Sequence, residues 1–157
     1  MFFGIEKKQN IEQCPKTYKI LKQIPELITA QFSVLQPKTH ILPHKGYSRI
    51  ILRNHLPLIV PPNNQAAIKI EDKTHYWKTG ELVIFDDSLI HEAWNNSDEI
   101  RAVLMFDVAK PGCGYNAKEI CKYKIEHIDD PFLLQIADKS EWIKWHDQGY
   151  FDFEDIH

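Results

Sequence analysis

The chain has 157 residues and a formal net charge of −3, with 43% hydrophobic and 26% charged residues. This length fits one domain, and the composition is ordinary for a protein with a buried core. The charge gives no electrostatic support for binding nucleic acid or an anionic membrane surface. We find neither a secretory signal nor an apolar run of about 20 residues that would span a bilayer. The odd count of three cysteines, without metal-like spacing, is typical of free thiols in a reducing compartment, so we expect a cytoplasmic protein.

The first 30 residues predict an extension outside the main core. Residues 1–10 are expected to form an opening strand or a loose arm. Over residues 14–30 apolar residues recur at helical spacing, and Pro15 stands at a position that a helix tolerates. Pro25 removes a backbone donor, so the predicted helix should break or kink there.

From Gln31 the pattern changes to short apolar runs separated by Pro, Gly, Asn and Asp. The runs with strand character are QFSVL, HIL, SRIILRNHLPLIV, AAIKI, HYW, ELVIF and IRAVLMFDV. Short strands at this spacing indicate an all-β sandwich or barrel. Among such folds, jelly rolls and cupins commonly hold a metal at one end.

The C-terminal part has helical character. Residues 119–128 and 131–145 are the candidate helices. Three aromatic residues are interpreted as helix faces that pack on the β core, in preference to a substrate-binding role: Trp142, Trp145 and Phe151.

Two histidines, His44 and His91, stand where strand-like runs meet polar turn residues. Arg53 follows the first by nine residues and Arg101 follows the second by ten, both within β-like runs. Alternating strands can place an arginine on the same inner face as a metal ligand. The pattern suggests a metal held by two strands, with a cationic anchor for an acidic co-ligand. Spacing alone allows ordinary turn histidines and surface arginines equally well, and imidazole does not identify the metal.

Several short motifs follow one another between Ser33 and Pro111. They are Ser33-Val34-Leu35, Pro43-His44-Lys45-Gly46, Leu52-Arg53-Asn54-His55-Leu56, Trp77 with Gly80, Phe85-Asp86-Asp87-Ser88, His91 with Trp94-Asn95, and Arg101 with Leu104 and Asp107-Val108. In this order they resemble the motifs of the aspartyl/asparaginyl β-hydroxylase family of Fe(II)- and 2-oxoglutarate-dependent dioxygenases. The resemblance covers about half of the chain tightly, and several ordered blocks are far more specific than one.

The resemblance implies the double-stranded β-helix, a mainly β, jelly-roll or cupin-like fold. We expect its β core over about residues 31–111, with flanking helices at the N- and C-termini. The helical C-terminal extension would cover about residues 115–157, and the whole chain, residues 1–157, would form a single dioxygenase domain.

The resemblance also implies that His44 and His91 are the catalytic iron ligands. The commoner dioxygenase site adds a carboxylate two residues after the first histidine. Here that position is Gly46, which has no ligating side chain. Glycine at this position is known in the family, which favours two protein ligands with water in the third place. Asp87 or Glu92 could instead supply the third ligand, although the Asp-Asp-Ser turn also has a plain interpretation as local backbone capping.

Four further residues are implied for binding the co-substrate 2-oxoglutarate. Arg101 would hold its distal carboxylate with help from Ser33, while Arg53 and His55 would lie near it. Arginine suits this role because its planar fork pairs with a carboxylate through two hydrogen bonds. For His55 a competing interpretation is a core histidine within a strand.

The implied activity is that of an enzyme, a hydroxylase that oxidises a C–H bond with O2 and releases succinate and CO2 from 2-oxoglutarate. The substrate is expected to be a small molecule or peptide with an aspartyl/asparaginyl-type or amino-acid group. A lipid acyl chain also stays open, because Lys38 and residues 47–49 depart from the family pattern at the rim. The alternative function is a non-oxidative cupin-like protein that binds a metal and a small acid. The sequence predicts no oligomeric state.

Overall fold

The structure is a computed structural model and describes residues 1–149 of the chain. These residues contain five helices and eight strands. The helices are α1 (Lys8–Gln13), α2 (Pro15–Leu21), α3 (Ala117–Glu126), α4 (Pro131–Ile136) and α5 (Lys139–Gln148). The strands are β1 (Leu27–Leu35), β2 (Thr39–His44), β3 (Ile51–Ile59), β4 (Ala66–Ile70), β5 (Lys73–Tyr76), β6 (Val83–Asp86), β7 (His91–Asn95) and β8 (Arg101–Ala109).

The strands form two four-stranded sheets with the orders β1-β8-β3-β6 and β2-β7-β4-β5. Strand β3 is antiparallel to both of its neighbours, and every pairing in the second sheet is antiparallel. Successive strands alternate between the sheets, apart from the β4–β5 hairpin. This alternation is the winding of a double-stranded β-helix, so the predicted mainly β fold class with flanking helices is confirmed.

The chain divides into two compact units. Residues 31–110 form one of them, which we call the β unit, and residues 1–30 together with those from 111 onward form the other, the helical unit. The core of the β unit contains a buried apolar cluster of Ala66, Ile68, Ile70, Trp77, Phe85 and Ala93. The expectation that residues 1–157 form one domain stays a prediction.

The predicted helix over residues 14–30 is wrong in its second half. Helix α2 ends at Leu21, and strand β1 begins at Leu27. Pro25 disfavours helical backbone at the residue before it, and Glu26 has a positive φ of 57° that turns the chain. Ile28, which contributed to the helical periodicity, is buried on strand β1 instead. Helix α1 was also not predicted, because residues 8–13 carry little apolar periodicity.

Both predicted C-terminal helical regions are helical, but the second is two helices. Asp138 separates α4 from α5 and caps α5, since its side chain accepts a hydrogen bond from the Glu141 backbone N–H. Trp142 and Trp145 are buried within the helical unit, with their ring centroids 5.1 Å apart. Phe151, the third aromatic residue predicted to lie on a helix face that packs on the β core, is outside the described residues.

Among residues 1–149, each helix is too short or too polar to cross a bilayer. Cys14, Cys113 and Cys121 form no disulfide, as the odd cysteine count suggested.

Candidate functional site

The residues predicted for the site lie on both sheets of the β unit. The two histidines belong to the second sheet, with His44 at the end of β2 and His91 at the start of β7. The four residues predicted to bind a co-substrate belong to the first sheet: Ser33 on β1, Arg53 and His55 on β3, and Arg101 on β8.

The pairing of β2 with β7 brings the two histidines together. His44 pairs with His91, and their ring centroids are 4.3 Å apart. Ile41 pairs with Ala93, so β2 has one more residue than β7 between these two pairs. This bulge places His44, instead of Pro43, opposite His91 on the same face of the sheet.

Both imidazoles are oriented by the same local hydrogen bond. Nδ1 of His44 lies 2.8 Å from the Leu42 carbonyl oxygen, and Nδ1 of His91 lies 2.8 Å from that of Leu89. Because a carbonyl only accepts, each Nδ1 carries a proton, and Nε2 of the neutral ring keeps a lone pair that can bind a metal. Burial lowers the pKa of His91 and so favours this neutral form.

Asp87 occupies the space that a side chain at position 46 would need. A Cβ added at Gly46 would overlap the Asp87 carboxylate, and the Gly46 backbone N–H donates to the Asp87 carbonyl oxygen at 2.7 Å. The Asp87 side chain is completely buried, and its Oδ1 lies 3.8 Å from His91 Nε2. Glycine at position 46 therefore admits a carboxylate from elsewhere in the sequence to the neighbourhood of the two histidines.

Arg53 is held between two buried carboxylates. It donates from Nε and Nη2 to Asp107 at 2.9 and 3.0 Å, and its Nη1 lies 2.5 Å from Asp87 Oδ1 in an ion pair without good hydrogen-bond geometry. Burial alone would lower the pKa of Arg53, but the two carboxylates raise it above its usual value. The Tyr47 hydroxyl also donates to Asp107, at 2.9 Å. The charge of Arg53 is thus already neutralised within the protein.

Arg101 is buried without a carboxylate partner within residues 1–149. It is 2% exposed, and Nη1 donates only to the carbonyl and hydroxyl oxygens of Ser33, at 3.1 and 3.4 Å. Its Nε has no hydrogen-bond partner. Burial lowers the pKa of Arg101 to about 10, so it stays charged at neutral pH. A buried, uncompensated guanidinium is costly, and it is the complement of an anion.

The Trp77 ring lies near both the Arg101 guanidinium and the His55 ring. The Arg101 guanidinium carbon lies 4.4 Å from the Trp77 ring centroid, and the His55 ring centroid lies 6.0 Å from that of Trp77. Both ring nitrogens of His55 and Nε1 of Trp77 are buried without a partner among the described residues. Burial, and then the nearby charge of Arg101, lower the pKa of His55 to about 3, so the ring is neutral.

The Glu92 carboxylate forms ion pairs with residues other than His44 and His91. Its carboxylate pairs with His40 at 2.8 Å and with Lys69 at 3.7 Å. Asp86 caps the turn that follows β6, as the Asp-Asp-Ser pattern suggested, by accepting from the Ser88 hydroxyl at 2.7 Å. Within residues 1–149 no three His, Cys, Asp or Glu side chains are grouped as a metal site. His44 and His91 are adjacent imidazoles on paired strands, with their ring centroids 4.3 Å apart.

Three residues of the site were not predicted from sequence: Tyr47, Trp77 and Asp107. Trp77 and Asp107 stand in the family-like motifs, which was the available signal, but neither was given a role. The Arg53–Asp107 contact joins residues 54 positions apart, and sequence spacing does not reveal such a pair.

Comparison with known proteins relates the chain to one family. A family profile described as "Aspartyl/Asparaginyl beta-hydroxylase" matches residues 1–111. An "Ornithine lipid ester-linked acyl 2-hydroxylase" of Rhizobium tropici is 44% identical over 110 residues, which is 69% of this chain and 39% of that protein. The "Aspartyl/asparaginyl beta-hydroxylase" of Homo sapiens is 34% identical over 102 residues, or 62% of this chain and 13% of that protein. The chain thus matches well under half the length of either relative.

Among solved structures, a cupin domain of Schizosaccharomyces pombe Cnp3 is 10% identical with a TM-score of 0.45, over 56% of this chain and 59% of that one. A likeness this slight does not by itself identify a fold.

Proposed function

The chain belongs to the aspartyl/asparaginyl β-hydroxylase family, and we propose that it is an Fe(II)- and 2-oxoglutarate-dependent hydroxylase. It would oxidise a C–H bond of an aspartyl/asparaginyl-type or amino-acid substrate and release succinate and CO2. The observation that supports this most strongly is Arg101, a buried cation beside unpartnered polar groups in the β unit that contains two paired histidines.

In this proposal His44 and His91 bind the iron through Nε2. Their Nδ1 hydrogen bonds to backbone carbonyl groups hold each ring in one orientation and one tautomer, as is usual for metal-binding histidines. When bound, iron would supply the activation of O2 that C–H oxidation requires.

Asp87 would act beside the metal, not as its third ligand. Its carboxylate is already paired with Arg53, and this pair fixes a negative charge 3.8 Å from His91 Nε2. Such a charge would partly compensate the positive charge of a metal ion bound by two neutral imidazoles. Gly46 would be required in this arrangement because it leaves room for the Asp87 side chain.

Arg101 would bind the distal carboxylate of 2-oxoglutarate, and Ser33 would orient the guanidinium. The Ser33 contacts use only Nη1 of Arg101, and Nε has no partner in the described part of the chain. A carboxylate there would complete the hydrogen bonding of a buried charge. The roles of Arg53 and His55 near the co-substrate stay predictions. Arg53 would have to exchange or share its present carboxylate partners to contact the co-substrate.

The relatives suggest two substrate classes for the hydroxylation. The human relative is named for aspartyl and asparaginyl groups, whereas the more similar Rhizobium protein is named for the acyl chain of a lipid. We therefore extend the proposal to an acyl chain as the second candidate substrate.

The decisive experiment measures succinate release by the purified protein with Fe(II), O2 and 2-oxoglutarate. The substrate panel contains aspartyl peptides, free amino acids and acylated amino-acid lipids, and mass spectrometry detects the gain of one oxygen atom. His44→Ala and His91→Ala should each abolish turnover without unfolding the protein, while His75→Ala, at an exposed strand position, should retain it. A wild-type protein that binds metal and releases no succinate would favour the non-oxidative alternative.

Arg101→Ala should raise the 2-oxoglutarate concentration needed for half-maximal turnover by about tenfold or more. A hydrogen bond to a charged group contributes about 1.5 to 3 kcal/mol, which sets this expectation. Arg101→Lys should recover part of the loss, because lysine keeps the charge but not the fork. An unchanged co-substrate dependence in Arg101→Ala would place the anchor at another residue.

A further inference from the structure

Trp77 has a polar group that the fold of the β unit does not use. The side chain is 2% exposed, and its Nε1–H has no acceptor among residues 1–149. Burying such a donor without a partner costs about 1 to 3 kcal/mol. A phenylalanine would offer a similar ring face without this cost, so packing alone does not account for an indole here.

The groups around Trp77 contain more donors than acceptors. The unpartnered atoms are Nε1 of Trp77, Nε of Arg101 and the two ring nitrogens of His55. Tryptophan and arginine only donate, and a neutral histidine donates from one nitrogen and accepts at the other. The unpartnered atoms around Trp77 therefore comprise three hydrogen-bond donors and one acceptor, beside the positive charge of Arg101. A carboxylate, which accepts only and is negative, complements this imbalance.

The indole is also placed to orient the guanidinium. The Arg101 guanidinium carbon lies over the Trp77 ring at 4.4 Å from the centroid. Contact with the ring face is favourable for a cation and restricts the directions in which the fork can point. The same side chain thus contacts the anchor and presents an unused donor beside it.

We infer that Trp77 is a ligand-binding residue whose Nε1–H donates to the carboxylate that Arg101 anchors. This inference rests on the proposed function, in which that carboxylate is the distal end of 2-oxoglutarate. Trp77 would then favour dicarboxylates over 2-oxo acids that lack the distal carboxylate.

The test compares Trp77→Phe with Trp94→Phe, a matched substitution on β7 where the indole lies near His40, at 6.2 Å between ring centroids. Calorimetry measures binding of 2-oxoglutarate and of 2-oxobutyrate to the zinc-loaded protein, so that the result does not depend on turnover. For Trp77→Phe the Kd of 2-oxoglutarate should rise about tenfold or more. Its Kd for 2-oxobutyrate should stay unchanged, and Trp94→Phe should match the wild type for both ligands.

A measurement on the wild type covers the case in which Trp77→Phe does not fold. In the 15N-labelled, zinc-loaded protein, the indole N–H resonance of Trp77 should shift when 2-oxoglutarate is added and stay in place with 2-oxobutyrate. Equal 2-oxoglutarate affinity in Trp77→Phe and wild type, or an unmoved resonance at saturating 2-oxoglutarate, would overturn the inference and leave the proposed function standing. A wild type that binds no 2-oxoglutarate would overturn the proposed function, and the inference with it.

Discussion

Arg53 and Arg101 lie on neighbouring strands of the first sheet, but their charges are compensated differently. Arg53 contacts two carboxylates, those of Asp87 and Asp107. Within the described residues, the Arg101 guanidinium donates hydrogen bonds only to Ser33 oxygens and lies over the Trp77 ring. We therefore expect Arg53 to stabilise the ligand-free protein. We expect Arg101 to stabilise a bound anion but to destabilise the ligand-free protein.

Replacing each arginine by methionine separates these two roles. Arg53→Met should lower the free energy of unfolding by about 3 to 5 kcal/mol, because it leaves two buried carboxylates without their cation. Arg101→Met should leave the free energy of unfolding unchanged or raise it, because it removes a buried charge that has no opposite partner. Urea denaturation of the ligand-free protein measures both. Equal losses in the two variants would show that Arg101 is also compensated within the fold.

Sequence reasoning identified both arginines but could not distinguish them. Their positions in β-like runs nine and ten residues after His44 and His91, together with the family-like motifs, selected Arg53 and Arg101 as site residues. Whether the anion beside each arginine is a side chain or a ligand depends on contacts such as Arg53–Asp107, which only the pairing of β3 with β8 creates. The same holds for Asp87, whose position beside His91 depends on where the turn after β6 meets the segment after β2.

At the scale of elements, the contact between the segment after β2 and the turn after β6 depends on Gly46. Gly46 follows β2 and Asp87 follows β6, and the two are joined by a backbone hydrogen bond of 2.7 Å and by the carboxylate that fills the space beside Gly46. A side chain at position 46 and the carboxylate of Asp87 cannot both keep their places.

Gly46→Ala should therefore lower the free energy of unfolding by about 1 to 3 kcal/mol, the usual cost of overfilling a packed region. The loss should be smaller when Gly46→Ala is made in an Asp87→Gly background, because the overlapping atoms are then absent. A double-mutant cycle from thermal or urea denaturation measures this coupling. Additive losses in the cycle would contradict the proposed overlap.

Strands that bury apolar side chains were predicted from the sequence, whereas a strand that buries polar side chains was missed. Runs such as AAIKI contain enough apolar residues to indicate β4, which is almost wholly buried. Strand β7 was missed, although it carries His91. Its buried positions are His91, Ala93 and Asn95, so the apolar alternation that identifies a strand is absent. A strand whose buried side chains are polar lacks the apolar alternation by which a strand is recognised in a sequence.

At the scale of the whole molecule, the family relationship covers residues 1–111, while the relatives are much longer proteins. The double-stranded β-helix was predictable from ordered motifs together with short strand-like runs. That residues 1–30 and those from 111 onward belong to one unit was not predicted, because this unit is formed by contacts between residues far apart in sequence.

Global stability should depend on pH through His55. Burial lowers its pKa to about 3 in the folded protein, from an ordinary value of 6.5. Between these two pH values His55 is protonated in the unfolded chain but neutral in the folded protein. The free energy of unfolding therefore keeps the full contribution of His55 above about pH 6.5 and decreases as the pH falls toward 3. The contribution lost between pH 6.5 and pH 5 is about 2 kcal/mol, from roughly 1.4 kcal/mol per pH unit. His55→Gln should reduce the measured loss by this amount, whereas His75→Gln should not. Parallel pH profiles for the wild type and His55→Gln would contradict the assignment.

The two proposed metal ligands differ in how well the fold protects them. Strand β2 is at the edge of the second sheet and pairs only with β7, whereas β7 lies between two partners. His44 is exposed, and His91 is buried. Edge strands open locally at a lower free energy than central strands, so backbone amides of β2 should exchange with solvent deuterium faster than those of β7. Release of a metal would then begin with fraying at His44 while the rest of the sheet stays closed, and a bound metal would slow exchange most along β2.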